Sequence, residues 1–203
     1  MITLPVKKAW KHLQSTNYDH LRIADIWLIS SKESILSKLI RWATRHQQGD
    51  PVQFSHVAGY TGSGHILEAL QFVTERPAKV YFRSNFTLKV IRNVTWTNRQ
   101  RASILFHAKQ YQGYPYGYAK VFLLQLLDCL FKTDKFTRYF SITPYPYCSQ
   151  LWAKAVAKAG VTNKINNKYP QSVTPDDWDD ESLNNPNEWS IVLKHDGSLC
   201  HIF

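Results

Sequence analysis

Two periods govern where apolar residues fall along the chain. A period of two runs through Phe54, His56, Ala58 and Tyr60, and again through Ile66, Glu68 and Leu70, the mark of half-buried strands. The turn-forming TGSG between them predicts a hairpin of strands 52–60 and 65–71. Ahead of it, ADIWLIS reads as a short strand. Ile35, Leu36, Leu39, Ile40 and Ala43 then recur at helical spacing, so residues 31–46 are expected as an amphipathic helix with Ser30 and Glu33 as its capping box. AKVYF at 78–82 and FTLKVIRNV at 86–94 are expected to extend the sheet. Helices are predicted over 98–111, over 118–132, where the run is apolar nearly all round and therefore buried, and from CSQLWAKAVAKAG at 148–160. Thr174, Pro175, Asp176 and Asp177 form a helix start, and WSIVLKH, Asp196-Gly197 and SLCHIF form a closing hairpin. Helices and strands come in blocks, which is the pattern of an α+β domain.

Composition adds size and chemistry to that picture. At 203 residues with 44% hydrophobic positions, the chain has enough apolar surface for one core, so residues 1–203 are read as a single domain with an N-terminal extension at 1–20 and an acidic segment at 171–203. The apolar run VFLLQLL is too short to span a bilayer, and MITLPVKKAWKHLQ lacks an h-region with a cleavage site. The expectation is a soluble protein made in the cytoplasm without a signal peptide. The net charge of +10 is uneven: residues 171–203 hold seven acids against one base, and the rest is strongly basic. Such a body favours anionic partners; with no RNP, zinc-finger or helix-turn-helix signal, specific nucleic-acid binding is not expected. The cysteines Cys129, Cys148 and Cys200 form no CxxC pair, and the histidines form no HxxxH pair, so no metal or cofactor is expected.

The candidate chemistry lies where polar residues interrupt the apolar pattern. His56 and Glu68 can meet only if the loop between their strands is odd in length, as in a three-residue turn at 61–63, or carries a bulge. A two-residue Gly62-Ser63 turn would send them to opposite faces. If they meet, Glu68 holds one ring nitrogen of His56 and leaves the other as a base. Cys148 is the candidate nucleophile: Pro144 and Pro146 deny helix to the segment before it, and an amphipathic helix starts at about this residue. The positive end of a helix and its unpaired N–H groups favour a thiolate and an oxyanion there. Cys129 and Cys200 read as small core residues, and His12, His20, His46, His65, His107, His195 and His201 as surface or incidental.

This combination resembles the permuted NlpC-like cysteine hydrolases of the papain fold, closest to the YiiX-like branch. The resemblance spans residues 21–178 and is carried by LRIADIWLIS, SKLIRWAT, FSHVAGYTGSGHILEA, GYPYGY, YCSQLWAKA and VTPDDW. Ala24 departs from the family's glycine, and Tyr147 stands where non-permuted relatives often carry aspartate. The resemblance implies a papain-like fold with a central antiparallel sheet packed against helices, and the permuted order His56 (base), Glu68 (orienter), Cys148 (nucleophile). It further implies a peptidase or amidase that forms a thioester acyl-enzyme, with peptidoglycan peptides or another acyl or peptide compound as substrate. Because the cell wall lies outside the cytoplasm, a delivered antibacterial effector or a phage lysis protein is the form expected to meet it, in the periplasm of a target cell. Lecithin-retinol-type acyltransferases share the permuted scaffold, so a lipid-directed amidase, thioesterase or acyltransferase is the alternative enzyme. A non-catalytic binder of anionic polymer is the alternative outside enzymes.

Overall fold

The period-two segments form one antiparallel sheet, and the period-3.6 segments cover it. The computed structural model describes residues 1–43, 53–115, 146–162 and 164–203. The helix expected over 118–132, and Cys129 within it, lie outside the described residues. In chain order the elements are β1 (Ile2–Pro5), α1 (Val6–Ser15), β2 (Ile26–Ser31), α2 (Ile35–Ala43), β3 (His56–Gly62), β4 (His65–Ala69), β5 (Val73–Pro77), a 3₁₀ turn (Ala78–Tyr81), β6 (Phe86–Asn93), α3 (Asn98–Lys109), α4 (Cys148–Lys158), α5 (Pro175–Asn184), β7 (Trp189–His195) and β8 (Leu199–Ile202). The eight strands lie in the order β1-β8-β7-β6-β2-β3-β4-β5, and all neighbouring pairs are antiparallel. The protein is α+β, and no described helix is long and apolar enough to cross a membrane.

Side chains alternate across this sheet and build a core on each face. Ile26, Leu28, Val57, Leu67 and Ile91 pack with Ile104 of α3, Leu151 and Trp152 of α4 and Trp178 of α5. Trp27, Ile29, Ala58, Ile66 and Val90 pack on the other face with Val6, Ala9 and Leu13 of α1 and with Tyr81 and Phe82. Residues 1–20, read from the sequence as an extension, thus supply an edge strand paired with β8 and a helix whose apolar stripe is buried. The acidic segment supplies α5 and two strands of the sheet.

Three local expectations are corrected. Ser30 does not cap α2: it stays in β2, paired with Thr87, and Ser34 is the cap, its Oγ accepting from the Ser37 N–H at 3.2 Å. Residues 78–82 are not a strand. The edge position beside β4 is taken by Val73–Pro77, and Pro77, which has no N–H to continue a ladder, ends it, so the chain winds into the 3₁₀ turn. His195 is neither exposed nor incidental, being 1% exposed on the sheet face that carries Leu193.

Candidate active site

The hairpin β3–β4 carries two of the three expected site residues, and its geometry turns on one extra residue. The connection is two residues long, Ser63 (φ 49°) and Gly64 (φ 75°), and the positive φ at both fits the type I′ turn that suits twisted strands. An even turn alone would put His56 and Glu68 on opposite faces. The register shifts, however, between Tyr60, which pairs with Ile66, and Gly62, which pairs with His65, so Thr61 is a bulge. The bulge restores the parity. Glu68 pairs with Ala58, two residues from His56 on the same face, and the contact is therefore diagonal rather than directly across the ladder.

That diagonal closes at 2.7 Å between His56 Nε2 and Glu68 Oε2. Glu68 is fully buried and accepts a second hydrogen bond, from the Tyr81 hydroxyl at 2.6 Å; Arg76 Nε lies 3.2 Å from its other oxygen. Burial alone would raise the Glu68 pKa, but the hydrogen bond and charge of His56, the Tyr81 hydroxyl and Arg76 outweigh it and hold the carboxyl below its ordinary value. An ionised carboxylate only accepts, so Nε2 carries the proton and donates it to Glu68, leaving Nδ1 for the other side of the ring.

Cys148, the first residue of α4, lines the same cavity as His56. Tyr147 precedes it as the N-cap, with an extended backbone and no side-chain cap, so the helix start keeps its N–H groups for the thiol. Trp152, one turn on, sets the position of the helix: its indole covers Gly59 of β3 so closely that a Cβ there would come within 2.2 Å of a ring carbon, and its Nε1 donates to the Leu67 carbonyl at 3.2 Å. The Ser149 hydroxyl donates to the Val173 carbonyl at 2.6 Å, and Trp178 Nε1 donates to the Ser149 carbonyl. The helix that begins at Cys148 is thus anchored to the sheet and to the segment before α5.

Burial opposes ionisation of both partners, yet each keeps the other charged. The Cys148 thiol is held below its ordinary pKa by the charge and hydrogen bond of His56 and by the backbone N–H groups of Val57 and Ser149, all acting against desolvation. Desolvation likewise pushes His56 down, and the Cys148 thiolate, followed by Glu68, pushes it well above its ordinary value. Both shifts favour the thiolate–imidazolium form of the pair, with a carboxylate behind it. By contrast, burial pushes the Cys200 thiol up to about 12, which leaves it inert. A cavity of about 150 Å³ reaches Cys148 and His56 from the side of α2.

Sequence reasoning missed Tyr81, Arg76 and His195. His195 accepts from the Gly197 N–H at Nδ1 and donates from Nε2 to the Tyr81 carbonyl at 3.0 Å, which fixes the residue whose hydroxyl holds Glu68. Burial keeps this histidine neutral. The alternation that placed Leu193 inward also placed His195 inward; no local signal marked Tyr81 or Arg76. Among the described residues no group of three His, Cys, Asp or Glu side chains is placed to hold a metal ion. No family model matches the chain, and no curated protein does.

Proposed function

We propose that the chain is a cysteine hydrolase, a peptidase or amidase working through a thioester acyl-enzyme, and that its fold is the permuted NlpC-like form of the papain fold. The observation that carries this reading is the row Cys148, His56, Glu68: a thiol at a helix start, an imidazole whose Nε2 is held at 2.7 Å by a buried carboxylate, and Nδ1 left for the sulfur. The chemistry follows from those atoms. The Cys148 thiolate attacks a carbonyl carbon, and the electron pair moves to the oxygen, which backbone N–H groups at the start of α4 stabilise. The His56 imidazolium gives its Nδ1 proton to the departing amine as the C–N bond breaks, leaving a thioester. Neutral His56 then takes a proton from water; the hydroxide adds to the thioester carbonyl, the C–S bond breaks, and a carboxylic acid leaves with the thiolate–imidazolium pair restored.

The substrate in this reading is a cell-wall peptide, supported by the family resemblance and by the basic body, whose 24 bases against 8 acids over residues 1–170 suit an anionic polymer. Incubating wild type and Cys148→Ala with purified peptidoglycan, with products read by mass spectrometry, tests it. Muropeptide cleavage by wild type alone is expected. Release by neither protein, with Cys148 still alkylated far faster than Cys200, moves the substrate to other acyl compounds. Equally slow alkylation of Cys129, Cys148 and Cys200 overturns the hydrolase reading.

A further inference from the structure

A histidine buried in a sheet core is stable only when its ring nitrogens are bonded. His195, on β7 and 1% exposed, is bonded at both, and by main chain alone: Nδ1 accepts from the Gly197 N–H at 3.1 Å, and Nε2 donates to the Tyr81 carbonyl at 3.0 Å. A backbone N–H can only donate and a carbonyl can only accept, so the two partners admit a single neutral tautomer. An imidazolium would set one N–H against another. Lys32 and Asp196 are the charged groups beside the ring, Phe82 stands 5.8 Å from it, and Cys200 pairs with His195 across β8.

The two partners are not equally secured. Gly197, at φ 103°, lies so close to the Ser84 carbonyl oxygen that a Cβ there would come within 2.2 Å of it, and Lys32 Nζ donates to the Asp196 carbonyl, so the β7–β8 turn is seated independently of the histidine. Tyr81 ends a four-residue 3₁₀ turn that follows the edge strand β5 and has no side-chain cap. Such turns have poor internal hydrogen bonds, and the carbonyls at their ends find no partner within them. The bond from His195 ties that turn to β7, which β6, β2, β3 and β4 separate from β5 in the sheet. At its other end Tyr81 donates its hydroxyl to Glu68 Oε2 at 2.6 Å, the oxygen that also takes His56 Nε2 at 2.7 Å.

We propose that His195 is a positioning residue of the candidate site: by holding the Tyr81 main chain it fixes the reach of the Tyr81 hydroxyl to Glu68, and so the carboxylate that orients His56. An O–H···O bond spans ~2.5–3.0 Å, so a shift of about 1 Å in the 3₁₀ turn takes it out of range. This role rests on the hydrolase reading of Cys148, His56 and Glu68, and it extends the support of that site to the closing hairpin.

Two uncharged substitutions separate the two bonds. His195→Asn keeps an acceptor for the N–H two residues on and loses the donor to Tyr81, whereas His195→Gln keeps a donor at the Nε2 position and loses the acceptor. The readout is the pH profile of iodoacetamide labelling of Cys148 in the folded full chain. His195→Asn is expected to raise its acid limit as Tyr81→Phe does, by up to about one pH unit, and His195→Gln to leave it in place. In the Tyr81→Phe/His195→Asn double variant no further rise is expected, because the histidine acts through the hydroxyl already removed. A wild-type profile in His195→Asn, an equal rise in His195→Gln, or a full second rise in the double variant overturns the positioning role and leaves the hydrolase reading standing. If His195→Asn does not fold, His195→Gln and Tyr81→Phe decide: a raised limit in Tyr81→Phe alone supports the role, and coincident limits overturn it. Wild-type Cys148 labelled as slowly as Cys200 overturns both.

Discussion

Two fully buried carboxylates, Asp25 just before β2 and Glu68 on β4, make unlike use of their hydrogen bonds. Asp25, just before the strand, receives Arg92 through Nε at 2.9 Å and Nη2 at 2.6 Å, the Arg22 N–H at 2.8 Å, and Arg101 at 3.5 Å. Arg92 and Arg101 also donate to the carbonyls of His20, Ile23, Asn93 and Trp96, so the cluster ties the turn before β2 to β6 and α3. Glu68, two strands away on β4 and level with Trp27, is as deeply buried. It holds a histidine that lines one cavity with the Cys148 thiol and is coupled to it by charge. Burial raises the pKa of Asp25 in spite of its arginines, whereas the partners of Glu68 lower its own. A buried, well-bonded acid is therefore not by itself a site: Asp25 spends its hydrogen bonds on backbone-holding arginines, and Glu68 spends one on a group that can still move a proton.

The comparison can be broken at either acid. Glu68→Gln is expected to give the largest effect on rate, lowering hydrolysis by on the order of 10³–10⁴-fold, because an amide can present its NH₂ to Nε2 and favour the wrong tautomer. Steady-state assay of the folded variant checks this. Asp25→Ala should instead cost about 3–5 kcal/mol of stability in urea unfolding, since it leaves buried arginine charge without its partner. Its folded fraction should keep the wild-type pH profile of Cys148 labelling. A change in that profile would show the two clusters to be coupled.

The pH dependence sharpens the contrast at the thiol. A cysteine whose folded pKa lies below 9.0 contributes stability that is present above that value and is lost as pH falls through the depressed pKa. A histidine raised above 6.5 contributes below 6.5 and loses its contribution as pH rises through the raised pKa. The ion pair thus spans the interval between the two folded values, and iodoacetamide labelling of Cys148 should be flat across it. In His56→Ala the labelling rate should climb with pH toward that of an ordinary thiol. The smallest effect is expected for Tyr81→Phe, which removes one hydrogen bond to a charged carboxylate that keeps Arg76 and His56: about tenfold in rate, with a corresponding rise in the acid limit of the profile.

Much of this was legible in the sequence where the signal is local. Period-two runs located β3 and β4, strand-like composition located β6, the closing hairpin located β7 and β8, and the helix beginning at Cys148 was marked by the prolines before it and the apolar stripe after it. Thr174-Pro175-Asp176-Asp177 opens α5, with the Thr174 hydroxyl accepting from the Asp177 N–H. Local signals failed where two descriptions competed for the same residues. Ser30 and Glu33 had capping-box spacing, but pairing of β2 with β6 runs through Ser31 and claims Ser30 first. AKVYF has strand composition, but Pro77 had already ended the ladder.

The amino-acid sequence by itself determined the residue types of the candidate site and the elements that carry two of them on one hairpin and the third at a helix start. Those properties depend on neighbours a few residues apart. Only the tertiary structure decided that the three converge. TGSG is compatible with either parity, and the Thr61 bulge chose the one that brings His56 to Glu68. The fit of Trp152 over Gly59 placed Cys148 at the imidazole, and the 3₁₀ turn, itself held by His195 across 114 residues, delivered the Tyr81 hydroxyl to Glu68. Parity, close packing and long-range hydrogen bonds are properties of paired segments, and no single segment contains them.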